Sequence, residues 1–131
     1  MKFSVSRDNI LKPLQQVGGV VERRQTLPIL SNVLLVLEGS KLSMTGTDLE
    51  VEMVASVNVE ADLPGSLTVP ARKLVDIIRE LPEQAEIAFT QKGERLEVRS
   101  GRVKSNLSTL PSTDFPAVES DTLSPPVSIG A

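Results

Sequence analysis

Three carboxylates stand two residues apart in the stretch "TGTDLEVEM": Asp48, Glu50 and Glu52. Acids spaced this way suggest a divalent-cation site, a general acid and base pair, or the wet face of a strand. A spacing of two, with Leu49, Val51 and Met53 interleaved, is strand periodicity and sends all three acids out of one face. One extended row sets its oxygens roughly 7 Å apart, whereas cation sites gather ligands from converging segments or a tight loop. The pattern therefore predicts the solvated face of a half-buried antiparallel strand. The rest of the catalytic repertoire is thin. The chain has no Cys and no His, which excludes disulfides, thiolate and imidazole metal sites, Cys nucleophiles and every His-dependent triad. "QVGGVV" lacks the Lys-Ser/Thr of a phosphate-binding loop and ends a helix instead of opening one. A Ser and Lys pair is compatible with the composition, but nothing marks any Ser as activated. No enzymatic activity, metal or cofactor is expected.

The elements that carry these residues follow from period. At 131 residues the chain amounts to one domain with enough length for a core. Apolar residues make up 40% and aromatics only 2%, so that core must be aliphatic. The N-terminus has no apolar signal region, and the longest clean apolar run, Val33 to Leu37, is too short to span a bilayer; a cytoplasmic protein is expected. Lys2 to Ser6 alternates as a strand with Phe3 and Val5 facing in. Ile10, Leu14, Val17 and Val21 then form the inner stripe of an amphipathic helix starting near Arg7 or Asp8. Pro13 predicts a bend or an early start, and Gly18-Gly19 weakens the helix end. From Ser31 onward three strands are expected, broken at "EGSK" and "TGTD" and ending near Asp62. "DLPGS" restarts the pattern: a strand over Ser66 to Val69, a helix opened by Pro70 and running to about Leu81, and strands over Glu86 to Gln91, Arg95 to Arg99 and Lys104 to Leu110. The same order thus occurs twice. The expected fold class is α+β, an internally duplicated β-α-β-β-β unit with two helices side by side, packed on antiparallel sheets.

Net charge is −3, but its distribution is uneven. Residues 38–62 carry a net −5 and residues 95–104 a net +3, which gives the domain an acidic side and basic sides. On the second helix Leu74, Ile77, Ile78 and Leu81 form the inner stripe and leave Arg72, Lys73, Asp76 and Arg79 to solvent. Joined to Lys12, Gln15 and Gln16 of the first helix, with Arg23 and Arg24 nearby, they form either an ordinary solvated helix pair or a surface for phosphate. Arg and Gln without aromatics provide no platform for base stacking. The last strand, "RVKSNLSTL", is basic on one face. A charged edge of this kind serves against aggregation or pairs with an acidic partner by strand addition.

The motifs "ILKPLQQV", "TLPIL", "TGTDLE", "VPARKL", "ELP" and "LSTLPSTDFP" run in order from Met1 to about Pro116. Together they resemble the N-terminal domain of bacterial replicative sliding clamps, the beta subunit of DNA polymerase III. The resemblance implies the DNA-clamp fold and a non-catalytic processivity factor. In that family three similar domains make a subunit, and two subunits close head to tail into a ring around duplex DNA, helices lining the hole. Arg24 and Arg72 match basic positions that face DNA, and Lys12, Lys73 and Arg79 are weaker matches. Lys73, Arg95, Arg102, Lys104 and Leu107 match the edge that meets the acidic third domain of the other subunit. Ser105 stands where many relatives have an aromatic, which implies a smaller hydrophobic contact. The implied partners are duplex DNA held topologically, a second clamp subunit, and DNA polymerase III and the clamp loader through domains outside these residues; no membrane is involved. The expected organisation is a clamp domain over 1–117, a linker over 118–126 and the first strand of a second domain over 127–131. Alone, the chain is expected not to close a ring. The competing reading is a stand-alone interaction module that uses the basic edge strand.

Overall fold

The computed structural model describes residues 1–20, 28–47 and 51–115. Strand β1 (Lys2–Ser6) buries Phe3 and Val5 and runs directly into helix α1 (Arg7–Gly18), where the burial period changes from two to between three and four. Ile10, Leu14 and Val17 are the buried stripe of α1, and Pro13 is held inside a single continuous helix. Val21, expected to extend that stripe, lies outside the described residues. After a 3-10 turn come β2 (Asn32–Glu38), β3 (Lys41–Thr47), β4 (Glu52–Asn58), β5 (Glu60–Leu63) and β6 (Gly65–Pro70), then helix α2 (Ala71–Arg79), then β7 (Glu86–Lys92), β8 (Arg95–Ser100) and β9 (Val103–Ser108). The hairpins β2–β3, β7–β8 and β8–β9 each place a glycine at positive φ in the first turn position: Gly39 at 59°, Gly93 at 62° and Gly101 at 58°. That conformation matches the right-handed twist of the flanking strands and favours glycine.

The duplicated order is present, but the two halves exchange strands. One sheet runs β5-β1-β7-β8-β9 and the other β4-β3-β2-β6, so the first strand of each half pairs with the remaining strands of the other. The sequence predicts a single third strand ending near Asp62 in the first half; the structure divides it at Val59. There the side chain is buried and the backbone N–H donates to the Ser40 carbonyl at 2.8 Å. β4 therefore stays with β3 while β5 pairs with β1 in the opposite sheet. The second half answers with Leu110, which follows β9 and bridges to Thr68 of β6. Thr68 is fully buried and fixes this junction, its Oγ1 donating to the Leu110 carbonyl and accepting from Asn32 Nδ2 at 2.9 Å.

The acid row falls only in part on the described residues, and the inward orientation expected of Val51 does not hold. β3 ends at Thr47 and pairs with Glu52 at the start of β4, so Glu52 alone of the three acids falls on a described strand. Val51, expected to face inward, precedes β4 and is half exposed, while its carbonyl accepts from Thr47 Oγ1 at 2.9 Å. Asp48 and Glu50 lie outside the described residues. No group of acids among the described residues is placed to hold a metal ion.

The core lies between the sheets and the helices and is aliphatic, as composition requires, except for Phe3 and Phe89, which stack at 4.6 Å between ring centroids. Gly46 sets how closely α1 approaches β3. A Cβ at that position would stand 2.6 Å from the Val17 carbonyl oxygen and 3.0 Å from Val17 Cγ1. Gly46→Ala is therefore expected to push the end of α1 off the sheet and to cost about 1–3 kcal/mol, the usual range for overpacking. Urea denaturation checks this; an unchanged midpoint would mean that the helix end moves freely.

Candidate nucleic-acid interface

Helix α2 begins without a side-chain cap, directly after Pro70, whose extended ψ of 120° closes β6. Its first turn holds no acid, so the positive end of the helix dipole adds to Arg72 and Lys73 instead of being offset. Ala71, Leu74 and Ile78 are buried, and Arg72, Lys73, Asp76 and Arg79 are exposed or partly so. The helix ends at Arg79, two residues before the expected Leu81, and its last carbonyls find another donor. Arg7, at the start of α1, donates from Nε to the Ile78 carbonyl at 3.2 Å and from Nη2 to the Arg79 carbonyl at 3.3 Å. The Ile78 carbonyl also accepts from the Leu81 N–H at 3.1 Å, and a guanidinium at a helix C-terminus adds donors for the last carbonyls and complements the dipole. Asp8 steadies the same corner, pairing with Arg7 and accepting from the Gln84 N–H.

The two helices lie side by side, Gly18 of α1 facing Val75 of α2. Between them runs a groove of about 560 Å³, lined on its polar side by Gln15, Arg72, Lys73, Asp76 and Arg79. Three cations against one acid leave it net positive. No ion pair among the described residues engages Arg72, Lys73 or Arg79. Lys12 and Gln16 lie on α1 but do not line the groove. Arg23 and Arg24 lie outside the described residues. Phe3, Phe89 and Phe115 are all buried, so the surface offers guanidinium, ammonium and amide groups for phosphate and no ring for a base.

The second basic surface is the outer face of the five-stranded sheet. Among the described residues β9 pairs only with β8 along its length, so its other edge is open. Arg95 and Lys104 are exposed on this face, and Arg102 is exposed in the β8–β9 turn. Leu107 is 5% exposed within the domain and packs opposite Leu96. Ser105 is half-buried on the same inward side. Glu97 of β8 carries the electrostatics here. Its carboxylate is buried yet meets Lys92 Nζ at 3.0 Å, Arg99 Nη2 at 3.5 Å and Lys104 Nζ at 3.6 Å. The Lys92 hydrogen bond, with the charges of Arg99 and Lys104, holds its titration below a glutamate's ordinary value against the opposing effect of burial. A lowered folded value means that the ionised group stabilises the fold above the unfolded pKa and loses that contribution as pH falls through the folded one. The stability difference between wild type and Glu97→Gln is therefore expected to be constant near neutrality and to fade below about pH 4.3, where the unfolded carboxyl titrates. Thermal melts from neutral to strongly acidic pH check it; a difference that grows toward acid would reverse the sign.

Residues 1–119 match the family model described as DNA polymerase III beta subunit, N-terminal domain. The chain belongs to that family. It is 58% identical over 120 residues to the beta sliding clamp of Pseudomonas putida, covering 91% of this chain and 33% of that protein. With the beta sliding clamp of Vibrio harveyi it shares 53% identity over 91% of this chain and 83% of that sequence. A crystal structure of the Pseudomonas aeruginosa sliding clamp bound to griselimycin superposes with a TM-score of 0.88 at 57% identity, over 91% of this chain and 32% of that one. The Caulobacter crescentus polymerase III beta structure gives 0.89 at 44% identity, over 92% of this chain and 33% of that one. The chain thus spans about a third of the length of most of these relatives, and the two α-helices and two antiparallel sheets among its described residues form the DNA-clamp fold.

Within that clamp domain, Arg72, Lys73 and Arg79 come together on α2 beside the groove. Arg95, Arg102 and Lys104 gather on the β8–β9 hairpin, and Lys73 lies on the helix, apart from them in sequence. Three further residues matter that sequence reasoning does not single out. By sequence, Arg7 is only a helix start, Gly46 only part of a turn, and Glu97 only a subtraction from a basic count. One signal does exist: Glu97 stands between Arg95 and Arg99 at spacing two, which puts all three on one face of a strand.

Proposed function

We propose that this chain is the N-terminal domain of a replicative sliding clamp, a non-catalytic processivity factor that encircles duplex DNA and tethers DNA polymerase III. The observation that carries the reading is the α1–α2 groove lined by Arg72, Lys73 and Arg79 without aromatic partners, on a domain of clamp fold. Such a surface meets phosphate without reading bases. A ring that holds DNA topologically needs only weak, exchangeable contacts, which suits a chain whose net charge is −3. Arg24, Arg72, Lys12, Lys73 and Arg79 face the DNA in this reading. Lys73, Arg95, Arg102, Lys104, Ser105 and Leu107 form the edge toward a second subunit. Residues 118–126 serve as a linker and 127–131 as the start of a second domain, with polymerase and clamp-loader contacts on further domains. The location is the cytoplasm, where bacterial replication takes place; no helix among the described residues is long and apolar enough to cross a membrane.

The test is replacement. With residues 1–115 exchanged for the matching segment of the Pseudomonas aeruginosa clamp, the chimaera should support long products from DNA polymerase III on a primed circular template. A folded chimaera that yields only the short products seen without a clamp would refute the reading.

A further inference from the structure

The cations around Glu97 are arranged poorly for an isolated domain. Lys92 pairs directly with Arg95 across β7–β8, and Arg99 pairs directly with Lys104 across β8–β9. Like charges set opposite one another destabilise a sheet. Glu97 sits between the two pairs as an acid that offsets both. Its three ion pairs are unequal: 3.0 Å to Lys92, 3.5 Å to Arg99 and 3.6 Å to Lys104. The longest belongs to the residue on β9, the strand with the open edge, and the Lys104 side chain is 54% exposed. Without Lys104 the buried carboxylate would still keep two cations, so releasing it does not orphan a buried charge.

We propose that Glu97 is a positioning residue that holds Lys104 in an internal ion pair and yields it to a carboxylate of an acidic segment adding along β9. This rests on the reading of β9 as the edge that meets an acidic partner. Charge complementarity names the occupant: a strand added beside β9 would set its side chains next to Lys104 on the face that also carries Arg99, Arg95 and Lys92. Internal and external carboxylates then compete for one ammonium group. The edge binds more weakly than its cation count suggests and releases more readily, a property suited to an interface that must open.

The experiment uses the 131-residue chain and deca-glutamate as the probe, followed by NMR at low salt. Glu97→Gln should tighten binding by roughly two- to fivefold, the range an exposed ion pair supplies. Glu38→Gln changes net charge equally on a hairpin of the other sheet and should leave binding near the wild-type value. In the wild type at neutral pH, where the probe's own carboxylates stay ionised, saturating deca-glutamate should shift the Glu97 side-chain carboxyl resonance as Lys104 leaves; Lys92, Arg99 and Lys104 are the cations it pairs with. A merely structural glutamate would keep its resonance. Equal affinities for the two variants, or a Glu97 resonance unmoved by the probe, would overturn the competition while leaving the acidic-partner reading standing. Absence of deca-glutamate binding to any form would overturn both. Should Glu97→Gln fail to fold, the wild-type resonance alone decides.

Discussion

Phe89→Ala is expected to lower the stability of the domain by about 3–5 kcal/mol, the range for emptying a buried aromatic site. Phe89 is fully buried and lies directly opposite Phe3, with the rings stacked at 4.6 Å and an interplanar angle of 12°. These are two of only three aromatic side chains in the sequence, so no further ring stands beside them to refill the space. The loss also falls where the two halves exchange strands, since Phe3 belongs to β1 and Phe89 to β7. Urea denaturation should show the midpoint fall, and Phe89→Leu, which keeps most of the volume, should recover much of the difference. A loss below about 1 kcal/mol would place the site among those that collapse freely, and the exchanged strand would then depend on its backbone pairing instead.

The second large effect concerns DNA. In the chimaeric ring, Arg72→Ala with Arg79→Ala should weaken DNA binding equally for every sequence, because guanidinium groups on phosphates carry no base information. Removing each phosphate interaction should flatten the slope of log affinity against log salt by about 0.9. Both side chains reach solvent from α2, and surface changes of this kind usually stay within about 0.5 kcal/mol, so the melting temperature should hold. A wild-type salt slope combined with a lowered melting temperature would make these arginines structural and remove them from the interface.

Much of the fold is legible in the sequence for a simple reason: period and turn chemistry are local. Ile10, Leu14 and Val17 repeat at helical spacing, Leu35 and Leu37 at strand spacing, and Gly39 and Gly93 sit where a two-residue turn needs positive φ. Local signals also place Arg72, Lys73, Asp76 and Arg79 on the wet side of α2. What escapes depends on pairing between distant segments. The division at Val59 is decided by a hydrogen bond to Ser40 and by β1 as a second partner, and neither leaves a mark in the residues 52–63 themselves. Gly46 matters only because Val17 comes to rest on it. Leu107 shows strand alternation but not which side is inward in a charged edge strand; the core takes it. Glu97 reads as a surface charge because its burial comes from the long side chains of three strands folding over it, an arrangement no spacing rule contains.

Retention on circular DNA tests most directly whether this domain forms part of a closed ring around DNA. The chimaera carrying residues 1–115 would be loaded onto nicked circular plasmid, separated from free protein by gel filtration in high salt, and assayed again after a single restriction cut. The protein should stay with the circle and leave once the DNA is linear. Equal retention on circular and linear DNA, or loss from the circle by a folded chimaera, would contradict the closed ring.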